Sequence, residues 1–372
     1  MKSQKTLFLT LNVFSLTGGI EKLSRIIGKA LFEISVENNS FLNIFSMHDL
    51  EEDVEGKYFP ISIFRAFRKN KVSFFLNSFY YGLRSNVIIL SHVNLLVVGI
   101  VTKLFAPKVQ LYIYAHGIEI WRPLNFWKRF FLRKVDKIIC VSNFTKNKII
   151  ELHDIPTEKL IVINNCLDPF LSTISNVKKN KQIKEDFDFG ENDIILLTIS
   201  RLSAHDRDKG YDKVLKAIQQ LIPLFPNLKY IIGGKYDLAE KKWLDNLIRE
   251  MDLQSVVKFS GFIQEEELSA YFSIADIYIM PSKKEGFGII FIEALFFGLP
   301  VIAGNKDGSV DALANGKFGL LVDPSSQIEI TSGLREVLNN KAHFIPQSEL
   351  VLAHFGFASF KMRLNELIKI RA

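Results

Sequence analysis

The chain has 372 residues, too many for one ordinary hydrophobic core, so two domains are expected. Apolar residues make up 48% and aromatic residues 12%, which excludes a disordered or fibrous chain. A net charge of +7, with an isoelectric point near 9.1, favours an anionic partner: a phosphorylated ligand, a membrane surface or nucleic acid. Cys140 and Cys166 lie in apolar contexts; they suggest no disulfide framework and fit a reducing compartment.

Lys2 and Lys5 precede an apolar run that could pass for a signal peptide, but no small-residue cleavage site follows. Residues 6–13 read better as a strand buried on both faces of a parallel sheet. Thr17-Gly18-Gly19-Ile20-Glu21 then turns into a helix from about Glu21. The glycine pair is not the spaced fingerprint of dinucleotide binding, and a tight turn explains it as well as a ligand does. Residues 61–84 interleave Phe64, Phe67, Phe74, Phe75, Phe79, Tyr80 and Tyr81 with basic side chains. That pattern suits a membrane or nucleic-acid surface, or equally an amphipathic core helix with a solvated basic face. Residues 87–105 carry Ser91, His92, Asn94 and Lys103, so they read as a strand and a helix, not a membrane span.

Further strands are expected at 87–90, 111–114, 137–141 and 161–163, alternating with helices in an α/β domain. The strand at 111–114 runs into Ala115-His116-Gly117, placing His116 beyond a strand's carboxyl end, where ligands gather in such sheets. A structural histidine is the competing reading. A second basic-aromatic stretch, 121–134, follows, and Ser142 to Thr145 looks like a capped helix start. Residues 171–192 are polar and charged and read as a linker, giving a first domain over 1–170 and a second over 193–354.

The second half repeats the alternation, with strands at 194–200, 230–234, 256–262, 275–280, 300–303 and 319–323. Arg201 and Lys209 flank one strand-to-helix loop, where paired cations can meet a phosphate; two solvated surface charges is the plainer reading. The stretch from Glu285 to Leu295 opens on Gly286, Phe287 and Gly288, continues almost wholly apolar, and ends before Gly298 and Pro300. It reads as a short buried helix with a phosphate-attracting start. Its carboxylates, Glu285 and Glu293, are spaced by roughly 12 Å if the helix is continuous, about the length of a diphosphate bearing a ring at each end. Buried Glu293 needs a polar partner, which a structural ion pair would also supply. A last helix is expected over 355–370. Asp186-Phe187-Asp188 and Asp206-Arg207-Asp208 fit a metal-binding D-x-D pattern formally, but neither follows a strand in the required way, so no metal is expected.

Taken in order, these motifs resemble the retaining glycosyltransferases of family 4. The resemblance rests on Gly18-Gly19-Ile20-Glu21, His116-Gly117, Val141 to Thr145, Arg201 with Lys209-Gly210, and Phe259 to Phe262. Pro281-Ser282 leading to Glu285 and Glu293, then 298–302 and 319–322, complete a set spanning nearly the whole chain. It implies the GT-B fold of two facing Rossmann-like domains, with the final helix (355–372) returning to the first. It implies further that Arg201 and Lys209 hold a donor diphosphate, aided by backbone N–H groups of Gly19 and of the turn from Gly286 to Gly288. By the same resemblance Glu285 meets donor-sugar hydroxyls, Glu293 the ribose, and His116 the reacting sugar, with the base against Phe262 and Ile263. The loop between Arg201 and Lys209 is longer than the commonest version, which could move Lys209. Cys166 replaces a usual glycine near the hinge.

The implied reaction moves a hexose from a UDP- or GDP-linked donor to a saccharide or lipid-linked acceptor, without metal or other cofactor. Surface-polysaccharide assembly on the inner face of a bacterial membrane is the expected setting, with the basic-aromatic stretches meeting anionic lipid and no nucleic acid involved. A nucleotide-sugar-binding protein without transferase activity and a GT-B-type epimerase are the alternatives. An epimerase would need more acid–base groups than His116 around the sugar.

Overall fold

A computed structural model describes residues 4–171, 177–204 and 207–369. The chain divides into two compact units, Met1–Pro169 with Phe355–Ala372, and Phe170–His354. Each is a parallel sheet covered by helices.

In the first unit the strands are β1 (Lys5–Thr10), β2 (Phe41–Ser46), β3 (Phe64–Ala66), β4 (Val87–Leu90), β5 (Gln110–Ala115), β6 (Lys137–Cys140) and β7 (Leu160–Val162). They pair in the order β3-β2-β1-β4-β5-β6-β7. Parallel pairing needs a crossover between successive strands, and the helices supply it. These are α1 (Gly19–Glu37), α2 (Lys71–Gly82), α3 (Leu96–Phe105), α4 (Phe126–Leu132) and α5 (Asn143–His153). Strands covered on both faces become continuous apolar runs, and Val87, Ile88, Ile89 and Leu90 are accordingly all buried. Side-chain caps fix several helix starts: Asn70 accepts from the Ser73 N–H, Asn125 from Lys128, and Ser142 from Thr145.

The final helix, Phe357–Ile368, packs on α1 in this first unit. Lys361 bridges Glu33 at 2.8 Å and Glu37 at 2.6 Å, and the Asn38 amide donates to Asn365 at 3.2 Å. The chain therefore returns to its first unit after completing the second.

The second unit has β8 (Ile194–Ile199), β9 (Leu228–Gly233), β10 (Val257–Gly261), β11 (Ile277–Met280), β12 (Val301–Gly304) and β13 (Leu320–Val322), ordered β10-β9-β8-β11-β12-β13. Its helices include α6 (Val177–Asp186), α7 (Tyr211–Leu221), α8 (Leu238–Glu250), α9 (Leu268–Ile274), α10 (Ile289–Phe296), α11 (Ser309–Ala312) and α12 (Gln327–Asn339).

Three expectations need correction. The linker over 171–192 instead contains α6, which packs on α9 through buried Ile183 and a 2.6 Å Lys179–Glu267 ion pair. Ile183 and the Lys179–Glu267 pair stand in an otherwise charged segment, which hides the helix's amphipathic periodicity. Strands β2 and β3 are additions to the expected set; β3 has only three residues, and Asn43 interrupts the apolar run of β2. Finally, Glu285 and Glu293 do not share a helix. Gly288, with φ of +86°, is the N-cap of α10, so Glu285 lies in the preceding loop and the 12 Å helical spacing does not apply.

Candidate active site

In doubly wound sheets ligands collect beyond the carboxyl ends of the strands where strand order reverses. In the second unit that point lies between β8 and β11. The loop after β8 carries Arg201 and Lys209; the loop after β11 carries Glu285 to Gly288. Gly210 starts α7 with φ of +79°, and a Cβ there would sit 2.4 Å from the Pro281 carbonyl oxygen. Only glycine lets these loops approach so closely. The Lys283 N–H also donates to the Asp208 carbonyl at 2.7 Å.

This approach delivers Lys209 to Glu285. Lys209 is 8% exposed, and its Nζ donates to Glu285 Oε1 at 2.6 Å and to the Lys284 carbonyl at 3.4 Å. The long loop thus does not carry Lys209 away from the carboxylate loop. Arg201, by contrast, is exposed at the end of β8. Glu293 is 2% exposed in α10. Burial pushes the Tyr278 hydroxyl well above its ordinary range, and the negative charges of Glu285 and Glu293 add to that. Tyr278 donates instead to the Ile199 carbonyl at 3.1 Å, tying β11 to β8 at the switch point. Gly286 and Gly288 flank buried Phe287, while Phe262 is exposed and Ile263 buried just past β10.

Asp307 gave no signal in the sequence. Its Oδ2 accepts from Ser282 Oγ at 2.7 Å and from the Glu285 N–H at 2.8 Å, and its Oδ1 accepts from the Ser309 N–H at 2.9 Å. Burial pushes this carboxyl up to about 6, the serine hydrogen bonds opposing the shift and the Glu285 charge adding to it. A single buried carboxylate therefore fixes the loop that presents Glu285.

The first unit has its own switch point, between β1 and β4. Gly18 is the N-cap of α1, and neither it nor Gly19 has positive φ, so no strained turn demands them. A Cβ on Gly19 would meet nothing within 4 Å. The approach to these glycines is set by Asp49, equally silent in the sequence: it is buried and accepts from the N–H groups of Val13 at 2.7 Å and Ser15 at 2.9 Å, and from Ser46 Oγ at 2.7 Å.

His116 follows β5, and its Nε2 lies 2.8 Å from the Ser91 carbonyl oxygen. A carbonyl only accepts, so Nε2 carries the proton and Nδ1 is left for other chemistry. The Glu119 carboxylate accepts the backbone N–H of His116 at 2.6 Å. His92, after β4, accepts the Asn94 N–H on its Nδ1 at 3.0 Å. Burial pushes its pKa down to about 4, with Glu119 opposing and His116 assisting. Among the described residues no group of three or more His, Cys, Asp or Glu side chains could hold a metal ion. Of the two D-x-D stretches, Asp206 lies outside the described residues, and Asp186 and Asp188 stand at and just beyond the end of α6.

Two Rossmann-type units, one presenting a lysine–carboxylate pair at its switch point, define the GT-B class. Residues 179–349 match the family described as glycosyl transferases group 1, and residues 45–169 match glycosyltransferase family 4. An uncharacterized glycosyltransferase of Haemophilus influenzae is 27% identical over 365 residues, 92% of each chain. One from Methanocaldococcus jannaschii is 25% identical over 205 residues, 55% of this chain; against it the chain spans about half (51%) of the relative's length. Among solved structures, Anabaena HepE in complex with UDP superposes with a TM-score of 0.80 at 18% identity, covering 98% of this chain and 99% of HepE. WaaG, a glycosyltransferase involved in lipopolysaccharide biosynthesis, superposes with a TM-score of 0.66 at 15% identity, covering 98% and 99%. The chain belongs to the family 4, group 1 glycosyltransferases.

Proposed function

We propose that this chain is a retaining, metal-independent hexosyltransferase that uses a UDP- or GDP-linked sugar. The observation that carries the reading is the Lys209–Glu285 pair at the switch point of the second unit. A donor diphosphate takes Lys209 from Glu285, which releases the carboxylate for the hydroxyls of the donor sugar. Arg201, Lys209 and the start of α10 then stabilise charge growing on the departing diphosphate, the role that a metal ion fills elsewhere. Glu293 accepts the ribose hydroxyls, Phe262 and Ile263 flank the base, and His116 serves the reacting sugar. The acceptor hydroxyl attacks from the face the diphosphate leaves, and the diphosphate takes its proton, so the anomeric configuration is kept. Thermal melting with each nucleotide tests donor recognition: UDP or GDP at 100 times its dissociation constant should stabilise the protein by roughly 2.7 kcal/mol. Neither nucleotide stabilising it, together with no transfer or hydrolysis of UDP- or GDP-hexoses, would defeat the proposal.

The acceptor, on this reading, is a saccharide or lipid-linked saccharide of bacterial surface polysaccharide such as lipopolysaccharide or capsule, handled at the inner face of the membrane. No helix among the described residues is long and apolar enough to cross a membrane. The first unit does expose Phe126 (73%), Trp127 (66%) and Phe130 on α4, beside Lys128, Arg129, Arg133 and Lys134. Most aromatics of 61–84 are different: Phe64, Phe67 and Phe74 are buried, and Phe75 and Tyr81 pack against the core. On this reading α4 meets the membrane, since basic residues near anionic lipid contribute about 1 kcal/mol each and Trp and Phe favour the interface. Sedimentation with vesicles should show binding that needs anionic lipid and weakens with salt. It should fall for Phe126→Ser with Trp127→Ser, both exposed enough to leave the fold intact. Equal partition onto neutral and anionic vesicles would end the membrane assignment.

A further inference from the structure

Lys209 reaches Glu285 from a long loop, and the structure shows what holds that loop in place. Glu240, in the first turn of α8, is a fully buried carboxylate. Its Oε2 accepts from Arg207 Nε at 2.8 Å and its Oε1 from the Tyr211 hydroxyl at 2.5 Å. Arg207 precedes Lys209 by two residues and Tyr211 follows it by two. One carboxylate therefore ties down both ends of the segment that presents the lysine. Asp237 in turn fixes the start of α8, accepting the Glu240 N–H at 2.7 Å. The Arg207 guanidinium lies over this support, 3.9 Å from the centre of the Trp243 ring. A buried carboxylate is costly unless paired, so Glu240 has a strong preference for the loop conformation that brings Arg207 to it.

We propose that Glu240, with Arg207 and Tyr211, is a positioning device for Lys209: it holds the donor-diphosphate loop in its binding geometry, and Trp243 reports whether the loop is seated. The proposal rests on the donor assignment made above. The lysine's amine bonds Glu285 and the Lys284 carbonyl, so the three side chains act on it through the backbone of the segment they hold. Misplacing a charged group by about 1 Å can cost on the order of 100-fold in activity. Loosening this loop should therefore weaken nucleotide binding while leaving the unliganded fold in place.

The test is nucleotide binding followed by Trp243 emission, in a background where Trp121→Phe and Trp127→Phe remove the other two tryptophans. UDP or GDP, whichever binds, should shift the emission of the parent. Arg207→Ala, made on the half-exposed partner, should abolish the shift and raise the nucleotide dissociation constant about tenfold or more, with the secondary structure kept at the assay temperature although the melting temperature falls as Glu240 loses its partner. Arg207→Lys keeps the charge and should recover affinity to within about threefold of the parent, which a merely structural arginine would not require. Glu240→Gln should behave as Arg207→Ala does; should it fail to fold, the two arginine variants carry the test. Parent-like affinity in Arg207→Ala, while Lys209→Ala loses the nucleotide, overturns the positioning role alone. A parent that binds neither UDP nor GDP overturns the donor assignment, and the positioning role falls with it.

Discussion

Lys209→Ala should lower turnover about 100-fold or more, and Arg201→Ala should do the same, since the proposed mechanism sets both cations against the charge growing on the leaving diphosphate. The two residues reach that role differently. Arg201 is exposed just past the end of β8 and is not part of the Lys209–Glu285 pair. Lys209 is buried against Glu285, so its loss also strands a carboxylate. A double-mutant cycle of Lys209→Ala with Glu285→Gln separates the two effects, because residues in contact show a coupling that distant ones lack. Strong coupling for Lys209–Glu285 and near-additivity for Arg201–Glu285 is the expected pattern. EDTA should leave the wild-type rate unchanged. Wild-type turnover to within about threefold in both Ala variants would remove these cations from the mechanism. Loss of activity with EDTA would instead bring back a metal.

The alternation of strands and helices is legible because a parallel sheet covered on both faces requires continuous apolar runs, and β1, β4, β8 and β11 have them. Elements without such a pattern are hidden. Strand β3 is only three residues long, and α6 sets buried Ile183 and the Lys179–Glu267 ion pair in an otherwise charged sequence. The site is legible in part. Lys209 and Glu285 stand in separate loops 76 residues apart, yet each loop follows a strand, and strand order brings them together. Their supports are not legible. Asp49, Asp307 and Glu240 are single carboxylates whose partners are backbone N–H groups, serine hydroxyls or side chains in other loops. No spacing rule reaches such partners, since what selects these residues is the accounting of buried hydrogen bonds in the finished fold. The helix containing Glu293 is legible, but its start is not. The sequence extends that helix back through Gly288 and Gly286, whereas the φ of Gly288 places the cap there and leaves Glu285 outside.

The separation of Glu285 from the helix of Glu293 sharpens what the two carboxylates should do. Glu293 is 2% exposed within α10, on an element fixed by the core, and the reading gives it the ribose hydroxyls. Glu293→Gln keeps the shape and removes the charged acceptor. Hydrogen bonds to charged groups contribute about 1.5–3 kcal/mol, so the nucleotide dissociation constant should rise on the order of tenfold or more. Glu285 sits in a loop held by Asp307 and is paired to Lys209. Glu285→Gln removes Lys209's competitor for the diphosphate, so free nucleotide should bind as well as to wild type or better. Turnover should nonetheless fall about 100-fold, because the proposed role sets the carboxylate against the sugar as positive charge develops there. Isothermal titration with the preferred nucleotide, alongside single-turnover transfer from the sugar donor, measures both quantities. Unchanged nucleotide affinity in Glu293→Gln would take the ribose away from Glu293. Weakened nucleotide binding in Glu285→Gln at full turnover would mean that Glu285 serves the nucleotide and not the sugar.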